Sequence, residues 1–395
     1  MTFILLIIIF LAFISLGIPD SLFGVAWPVI HIDFGLREDF AAVAMVVLGT
    51  MSMAISFFTG PLVRKLGTGT VTAVSTLLTA IGLLGISFSP NIWVILIFMM
   101  FMGLGAGAVD AALNSYVAKH YKAIYLSWLH CFWGIGVTLS PLIMSRYLYD
   151  ANWRGGYKSV FFIQIAITVV LFLSLPLWRK IRTSLQNLLT ENTNTDIKET
   201  INNKRIRPIK IKGVPYSLLI FAVYCGAEYI IGVWGASFLI NARSLSPALA
   251  AKWISLYYAG IMLGRFITGF LTIKFSDKAL IRGGIFLSSF GLLLLIVPIS
   301  SSFSFFGLLL IGLGFAPIYP CSVHATPKRF GKEFSADITG YQMGSAALGA
   351  FFFQPLFGYI AAATTFKLMP FFLLLMCFLL FFLTEKLNII TIKRP

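Results

Sequence analysis

Charged residues are scarce in this chain of 395 residues: 11% are Asp, Glu, Lys or Arg, while 58% are hydrophobic. An ordinary soluble domain carries about 25% charged residues, so a soluble globule is excluded. The four cysteines, Cys131, Cys225, Cys321 and Cys377, lie singly in apolar segments with no CxxC pair. That spacing gives neither a disulfide framework nor a metal site, and they read as small buried hydrophobes. The four histidines, His31, His120, His130 and His324, are dispersed, and neither HExxH nor a GxxxxGK[ST] phosphate loop occurs. The sequence therefore predicts no metal, no cofactor, no ATP-driven machinery and no enzyme. Acids are scarcest of all, 14 against 30 Lys and Arg, a net charge of +16. Such a balance points to nucleic acid only if the basic residues share a surface.

What is abundant is long apolar runs. A bilayer crossing takes about 20 apolar residues, because every backbone polar group must be satisfied inside the segment. Twelve runs qualify: Phe3–Trp27, Phe40–Leu62, Thr70–Phe88, Ile92–Val117, Leu126–Leu148, Val160–Trp178, Val214–Ile240, Leu249–Ile273, Ile285–Ile299, Phe303–His324, Ala336–Ala362 and Leu368–Leu383. The first has no basic residue ahead of it and exceeds a signal h-region of about 7–15 residues, so it is expected to stay as a helix.

The links between runs explain the charge. Those on the face that carries both termini hold 22 basic residues, nine of them in 179–213. The other face holds seven: Arg37, Arg146, Arg154, Lys158, Arg243, Lys252 and Lys367. Basic residues concentrate in cytoplasmic loops, so both termini are expected to be cytoplasmic in a multi-pass protein of the cell membrane, with no nucleic-acid partner. Segment 179–213 is the only long polar stretch, and six runs lie on either side of it. It divides the chain into an N-terminal bundle (1–178), a basic linker suited to the anionic leaflet, and a C-terminal bundle with a short tail (214–395).

The halves repeat one another. Phe57-Phe58-Thr59-Gly60-Pro61-Leu62 ends the second run and Phe266-Ile267-Thr268-Gly269-Phe270-Leu271 ends the eighth, 209 positions on. Gly103-Leu104-Gly105 in the fourth recurs as Gly312-Leu313-Gly314 in the tenth, again 209 on, and Asp20-x-x-x-Gly24 matches Glu228-x-x-x-Gly232 at 208. The expected fold is all-α: twelve transmembrane helices in two pseudo-symmetric six-helix bundles. Two internally similar halves also disfavour an oligomeric channel, and a monomer is expected.

This pattern resembles the major facilitator superfamily over nearly the whole chain. Its signature G-x-L-x-D-R-x-G-R-K appears as Gly60-Pro61-Leu62-Val63-Arg64-Lys65-Leu66-Gly67-Thr68-Gly69, with Arg64 in place of the acid that gates in relatives. Four further stretches resemble the fucose–galactose–glucose:proton symporter family: Gly103–Val117, Leu129-His130-x-Phe132-x-Gly134-x-Gly136, Glu228-Tyr229-x-x-Gly232-x-Trp234 and Gly264-Arg265-x-x-x-Gly269. The resemblance implies a secondary active transporter working by alternating access, with proton-coupled uptake of a sugar or similar small polar solute. A proton-coupled antiporter exporting drugs or metabolites is the alternative.

Ionisable side chains inside spanning helices cost about 2.5–3.5 kcal/mol on insertion scales, so each calls for a reason. Asp20, Asp110 and Glu228 are the candidate proton-coupling residues, since a carboxyl that alternates between dry and wet surroundings takes up and releases a proton. The symporter resemblance also implies acids in helices 1 and 4, the places of Asp20 and Asp110. Hydrogen bonding between neighbouring helices is the competing role for those two. Glu228 is either a solute acceptor or the partner of Arg265. Arg265, in turn, is a gating or pairing residue or a snorkelling one, and Arg64 is the other gating candidate. A hydroxyl-rich solute needs donors, acceptors and an aromatic face, for which Asn114, His130, Gln164, Gln342, Trp133, Tyr224, Trp234 and Tyr319 are the candidates. Trp27, Trp93 and Trp153 are expected in the interfacial belt, and the run Gly103-x-Gly105-x-Gly107 is expected to permit close helix approach.

Overall fold

The computed structural model describes residues 2–121, 123–180, 208–297, 301–331 and 334–392. Residues 181–207 of the predicted linker and 393–395 of the tail lie outside them. The described residues form helices α1 (Thr2–Asp20), α2 (Leu22–Asp33), α3 (Ala41–Leu66), α4 (Thr68–Phe88), α5 (Ile92–His120), α6 (Ala123–Leu148) and α7 (Trp153–Leu173), with 175–180 also helical. The second half comprises α8 (Val214–Arg243), α9 (Pro247–Leu271), α10 (Asp277–Ile296), α11 (Ser301–Phe315), α12 (Ile318–Phe330), α13 (Ser335–Ala363) and α14 (Met369–Ile392). Taken together they supply twelve spans long and apolar enough to cross a membrane. Two of the spans are broken: the first at Ser21, between α1 and α2, and the tenth between α11 and α12, where Pro317 precedes Ile318. A proline ring clashes with the preceding turn and donates no hydrogen bond.

Helix ends differ from the expected limits where charge is accommodated. The sixth span begins at Trp153, seven residues before the apolar run, because its basic residues find partners at the rim. Arg154 pairs with Asp33 at 2.7 Å and stacks on Trp153, and Lys158 sits over the Phe88 ring at 4.4 Å. The first span runs on to Asp33 rather than ending at Trp27, which places Asp20 near its middle. The belt expectation fails for two of three tryptophans. Trp27 and Trp153 are buried, their indole N–H groups donating to the Glu38 carbonyl oxygen and to Asp33, whereas Trp93 is exposed.

Close packing follows the repeat. A Cβ on Gly103 would strike the carbonyl oxygen of Leu48, and one on Gly312 that of Tyr257. Likewise Gly105 lies against the carbonyl of Ser75, and Gly314 against that of Gly284. Leu48 and Tyr257 are 209 positions apart, as are Ser75 and Gly284. The same small-residue contacts therefore fix α5 on α3 and α4 in one half and α11 on α9 and α10 in the other. The two bundles meet along α6 and α9, α2 and α8, and α3 and α13.

One face of the molecule is closed. There Gly24 of α2 presses on the backbone of Gly232 and Val233 in α8, and Glu38 accepts a hydrogen bond from Asn241 at 3.2 Å. At the other face, which carries the 2–3 and 10–11 links and is called the linker face below, the halves part. Near the closed face α3 and α13 meet where Gly49 faces Phe351, but nothing from α13 approaches Gly60, and Gly340 and Gly344 face open space.

Candidate functional site

The site is built around the break in the first span. Pro19 ends the regular bonding of α1, and the Ser21 hydroxyl anchors the break to α6 by donating to the Val137 carbonyl oxygen at 2.9 Å. Gly17 and Gly136 let the two helices approach backbone to backbone. The Asp20 carboxylate is thereby held beside Trp133, whose indole N–H donates to it at 2.7 Å.

Trp133 also faces the other half. The Arg265 guanidinium lies over its ring, 5.2 Å from the centroid, and donates to Glu228 at 3.2 Å. Both members of that pair are nearly buried, with side chains 10% and 8% exposed. The Tyr257 hydroxyl donates to the Glu228 carbonyl oxygen at 3.1 Å. A continuous sequence of contacts, Asp20 to Trp133 to Arg265 to Glu228, thus runs from α1 through α6 and α9 to α8. Of the readings left open for Glu228 and Arg265, the ion pair is the one the geometry contains.

Asp110 lies on α5 and is exposed in the interior crevice that opens to the linker face. Asn114, one turn along the same helix, donates to its carboxylate at 2.7 Å and to its carbonyl oxygen at 3.0 Å. Both groups share a helix face, as residues four apart must. His130 is half-buried, edge-on to Phe13 at 5.9 Å and to Tyr319 at 6.0 Å. Tyr319 in turn meets Phe221 and Tyr224, with centroids 5.3 and 6.2 Å away. The Tyr224 hydroxyl borders the Glu228 and Arg265 pair.

Three candidates are placed elsewhere. Gln164 is fully buried between α7 and α4, its amide donating to the Thr79 hydroxyl at 2.6 Å. Gln342 is equally buried and donates to Ser217 and Thr326, at 2.6 and 3.0 Å. Trp234 gives its N–H to the Gln354 carbonyl oxygen at 2.9 Å and packs on Phe366. Each joins helices within its own half. A buried amide in lipid must find a partner, and here the partner is a neighbouring helix rather than an open site. Arg64 is exposed near the linker face, about as far from the site as α3 allows, and forms no ion pair among the described residues. Gln342→Ala is expected to lower thermal stability by about 1–3 kcal/mol while leaving the KM for solute unchanged. Asn114→Ala should do the reverse, and a Gln342→Ala protein with a severalfold higher KM would return that amide to the site.

Tyr229 was not among the candidates, yet it is 39% exposed in the crevice, and its hydroxyl is within electrostatic reach of Asp20, Asp110 and Glu228. Its sequence signal was its place beside Glu228. Helix α8 is apolar all round, so periodicity gives no face to distinguish it. Among the described residues no group of three or more His, Cys, Asp or Glu is arranged to hold a metal ion.

A family model described as Major Facilitator Superfamily matches residues 5–353. Among curated proteins, the chain is 23% identical over 259 residues to the "Bypass of stop codon protein 6" of Saccharomyces cerevisiae, covering 58% of this chain and 51% of that one. It is 22% identical over 292 residues to the 4-hydroxybenzoate transporter PcaK of Acinetobacter baylyi, covering 71% and 61%. These matches thus span between half and two thirds of the relatives' own length. Among solved structures, a bacterial homologue of the human lysosomal transporter Spinster, in an inward-facing and occupied conformation, superposes with a TM-score of 0.69 at 14% identity, covering 99% of this chain and 97% of that one.

Proposed function

Because the chain belongs to the major facilitator superfamily and is a multi-pass membrane transporter rather than an enzyme, we propose that it is a proton-coupled secondary transporter that takes up a small polar solute by alternating access. The observation that carries this reading is the run of contacts from Asp20 to Glu228, because its members come from both halves. Trp133 and Arg265 belong to bodies that must rock against each other when the closed face opens. Parting them removes the ring from the guanidinium and alters the surroundings of Asp20 and Glu228 together. Asp110, wetted through the open crevice, exchanges its proton with the linker face. Asp20, at the dry end, exchanges when that end is wetted in turn. The rocking bodies are residues 1–178 and 214–395, with 179–213 between them, and the unit of transport is a monomer. The basic bias of the linker face supports its being cytoplasmic, with both termini there and the protein in the cell membrane.

The resemblance of four stretches to sugar:proton symporters supports a sugar as solute, held by Asn114, His130, Tyr229 and the faces of Trp133, Tyr224 and Tyr319. One observation favours a second reading. With Gln164, Gln342 and Trp234 engaged elsewhere, the remaining wall combines the aromatic faces of Trp133, Tyr224 and Tyr319 with the Arg265 guanidinium, a combination suited to an aromatic carboxylate. The relative that transports 4-hydroxybenzoate supports the same reading.

Proteoliposomes carrying an internal pH dye distinguish these readings when challenged with sugars, polyols, aromatic acids and cationic drugs. Internal acidification driven by one sugar establishes sugar symport. Acidification driven by an aromatic acid, and lost in Arg265→Gln, establishes the second reading. Solute uptake with no proton movement in either direction, or proton release on adding a cation, overturns proton-coupled uptake.

A further inference from the structure

Three aromatic side chains with a polar hydrogen surround the dry end of the site, and two of them have spent it. Trp133 gives its indole N–H to Asp20, and Tyr257 gives its hydroxyl hydrogen to the Glu228 carbonyl oxygen. The third is Tyr258, the next residue of α9. It is 6% exposed, yet its hydroxyl makes no hydrogen bond among the described residues. Buried polar groups are ordinarily paired, so this exception calls for an explanation.

Packing does not supply one. The counterpart of Tyr258 in the first half is Gly49, 209 positions earlier, so the scheme shared by the halves is met there with no side chain at all. In the second half the chain makes room for the hydroxyl. It occupies the space that a Cβ on Gly232 would need, whereas the ring carbon that bears it would stay 3.5 Å from such a Cβ. Gly232 is also the gate, since its carbonyl oxygen is the atom on which Gly24 presses. On the inner side, the Tyr258 ring lies edge-on to Trp133 with centroids 6.5 Å apart, and its hydroxyl is within electrostatic reach of Asp20 and Glu228. A phenol with an unspent hydrogen therefore stands between the closed gate and the acid that Trp133 holds.

Building on the proton-coupled reading above, we propose that Tyr258 is the relay through which Asp20 exchanges its proton with the closed face. When Gly24 leaves Gly232, water reaches the phenol oxygen. A hydronium ion gives that oxygen a proton as the original O–H hydrogen passes to the Asp20 carboxylate. The hydronium ends as water, the tyrosine ends as it began, and Asp20 ends neutral. Release follows the same steps in reverse.

Proteoliposomes of the full-length protein with an internal pH dye are challenged with galactose, sorbitol and 4-hydroxybenzoate, and the probe that acidifies native vesicles is carried through the variants. Tyr258→Phe keeps the ring against Trp133 and removes only the hydroxyl. Its counterflow of labelled against unlabelled probe is expected to stay within twofold of native. Its proton-driven uptake should fall about tenfold or more, since a positioned proton-transfer group contributes about a hundredfold where no water replaces it. The remaining uptake should slow further in deuterium oxide, while counterflow does not. Gly232→Ala displaces the hydroxyl and should lower the Tm. Adding Tyr258→Phe removes that clash, so the double variant should regain the Tm of Tyr258→Phe without regaining proton-driven uptake. Native uptake in Tyr258→Phe overturns the relay, as does an equal loss of counterflow and uptake, which would make the hydroxyl a solute contact or a helix support. Recovery of uptake in the double variant also overturns it, because the hydroxyl would then be filler. Native vesicles that move a probe without protons overturn the proton-coupled reading itself and the relay with it, a result seen before any variant is read.

Discussion

Asp110→Asn is expected to abolish uphill accumulation while leaving solute exchange intact. One proton moving down 100 mV supplies about 2.3 kcal/mol, which sustains an accumulation of about fiftyfold. Asparagine keeps the size of the side chain and can still bond to Asn114, the partner at 2.7 Å in the native site. What it cannot do is carry the proton. The internal-to-external solute ratio should therefore fall to about one under an imposed proton gradient, whereas counterflow of labelled against unlabelled solute persists. If the variant accumulates solute as the native protein does, Asp110 is a helix-bonding group and the coupling role passes to Asp20 or Glu228. If counterflow vanishes as well, Asp110 contributes to solute binding.

The second large effect concerns Glu228 and Arg265. Removing one member of a buried pair leaves the other charged and uncompensated, which costs about 3–5 kcal/mol. Arg265→Ala is thus expected to lower the midpoint of thermal unfolding more than any other single change in the central site, since it also strips the cation from the face of Trp133. Replacing both residues, Glu228→Gln with Arg265→Met, removes the stranded charge and should recover most of the stability without recovering transport. This split is the informative result: a double variant as unstable as Arg265→Ala would mean that contacts of the guanidinium itself, such as its place over the Trp133 ring, rather than relief of a stranded charge, support the helices.

Some of this was legible in the residues and some was not. The spans were legible because lipid leaves so few ways to satisfy a backbone, and the repeat was legible because close helix contact admits only small residues. Gly103 and Gly312 are conspicuous in sequence for the same reason that they touch Leu48 and Tyr257 in space. The start of α7 was hidden because Arg154 and Lys158 look like loop charges until Asp33 and Phe88 are seen beside them. Polarity marked Gln164 and Gln342 as candidates, but a sequence does not say which neighbouring helix a polar side chain meets. Those two amides found Thr79 and Ser217 within their own halves. Asp20, Glu228 and Arg265 were legible because nothing cheap explains a charge in lipid. Their linkage through Trp133 was not, since it depends on the crossing of α6 and α9.

The contact of Gly24 with Gly232 and Val233 sets how this protein can fail. A gate made of side chains leaks whenever a rotamer hops, on a scale of picoseconds to nanoseconds. Here backbone lies on backbone, so no rotamer change can loosen it. Only displacement of α2 from α8 as rigid rods opens a path, and such collective motions take microseconds to milliseconds. The resting protein should consequently hold an ion gradient for as long as its halves stay together, with leak arriving as rare whole openings in place of a steady trickle.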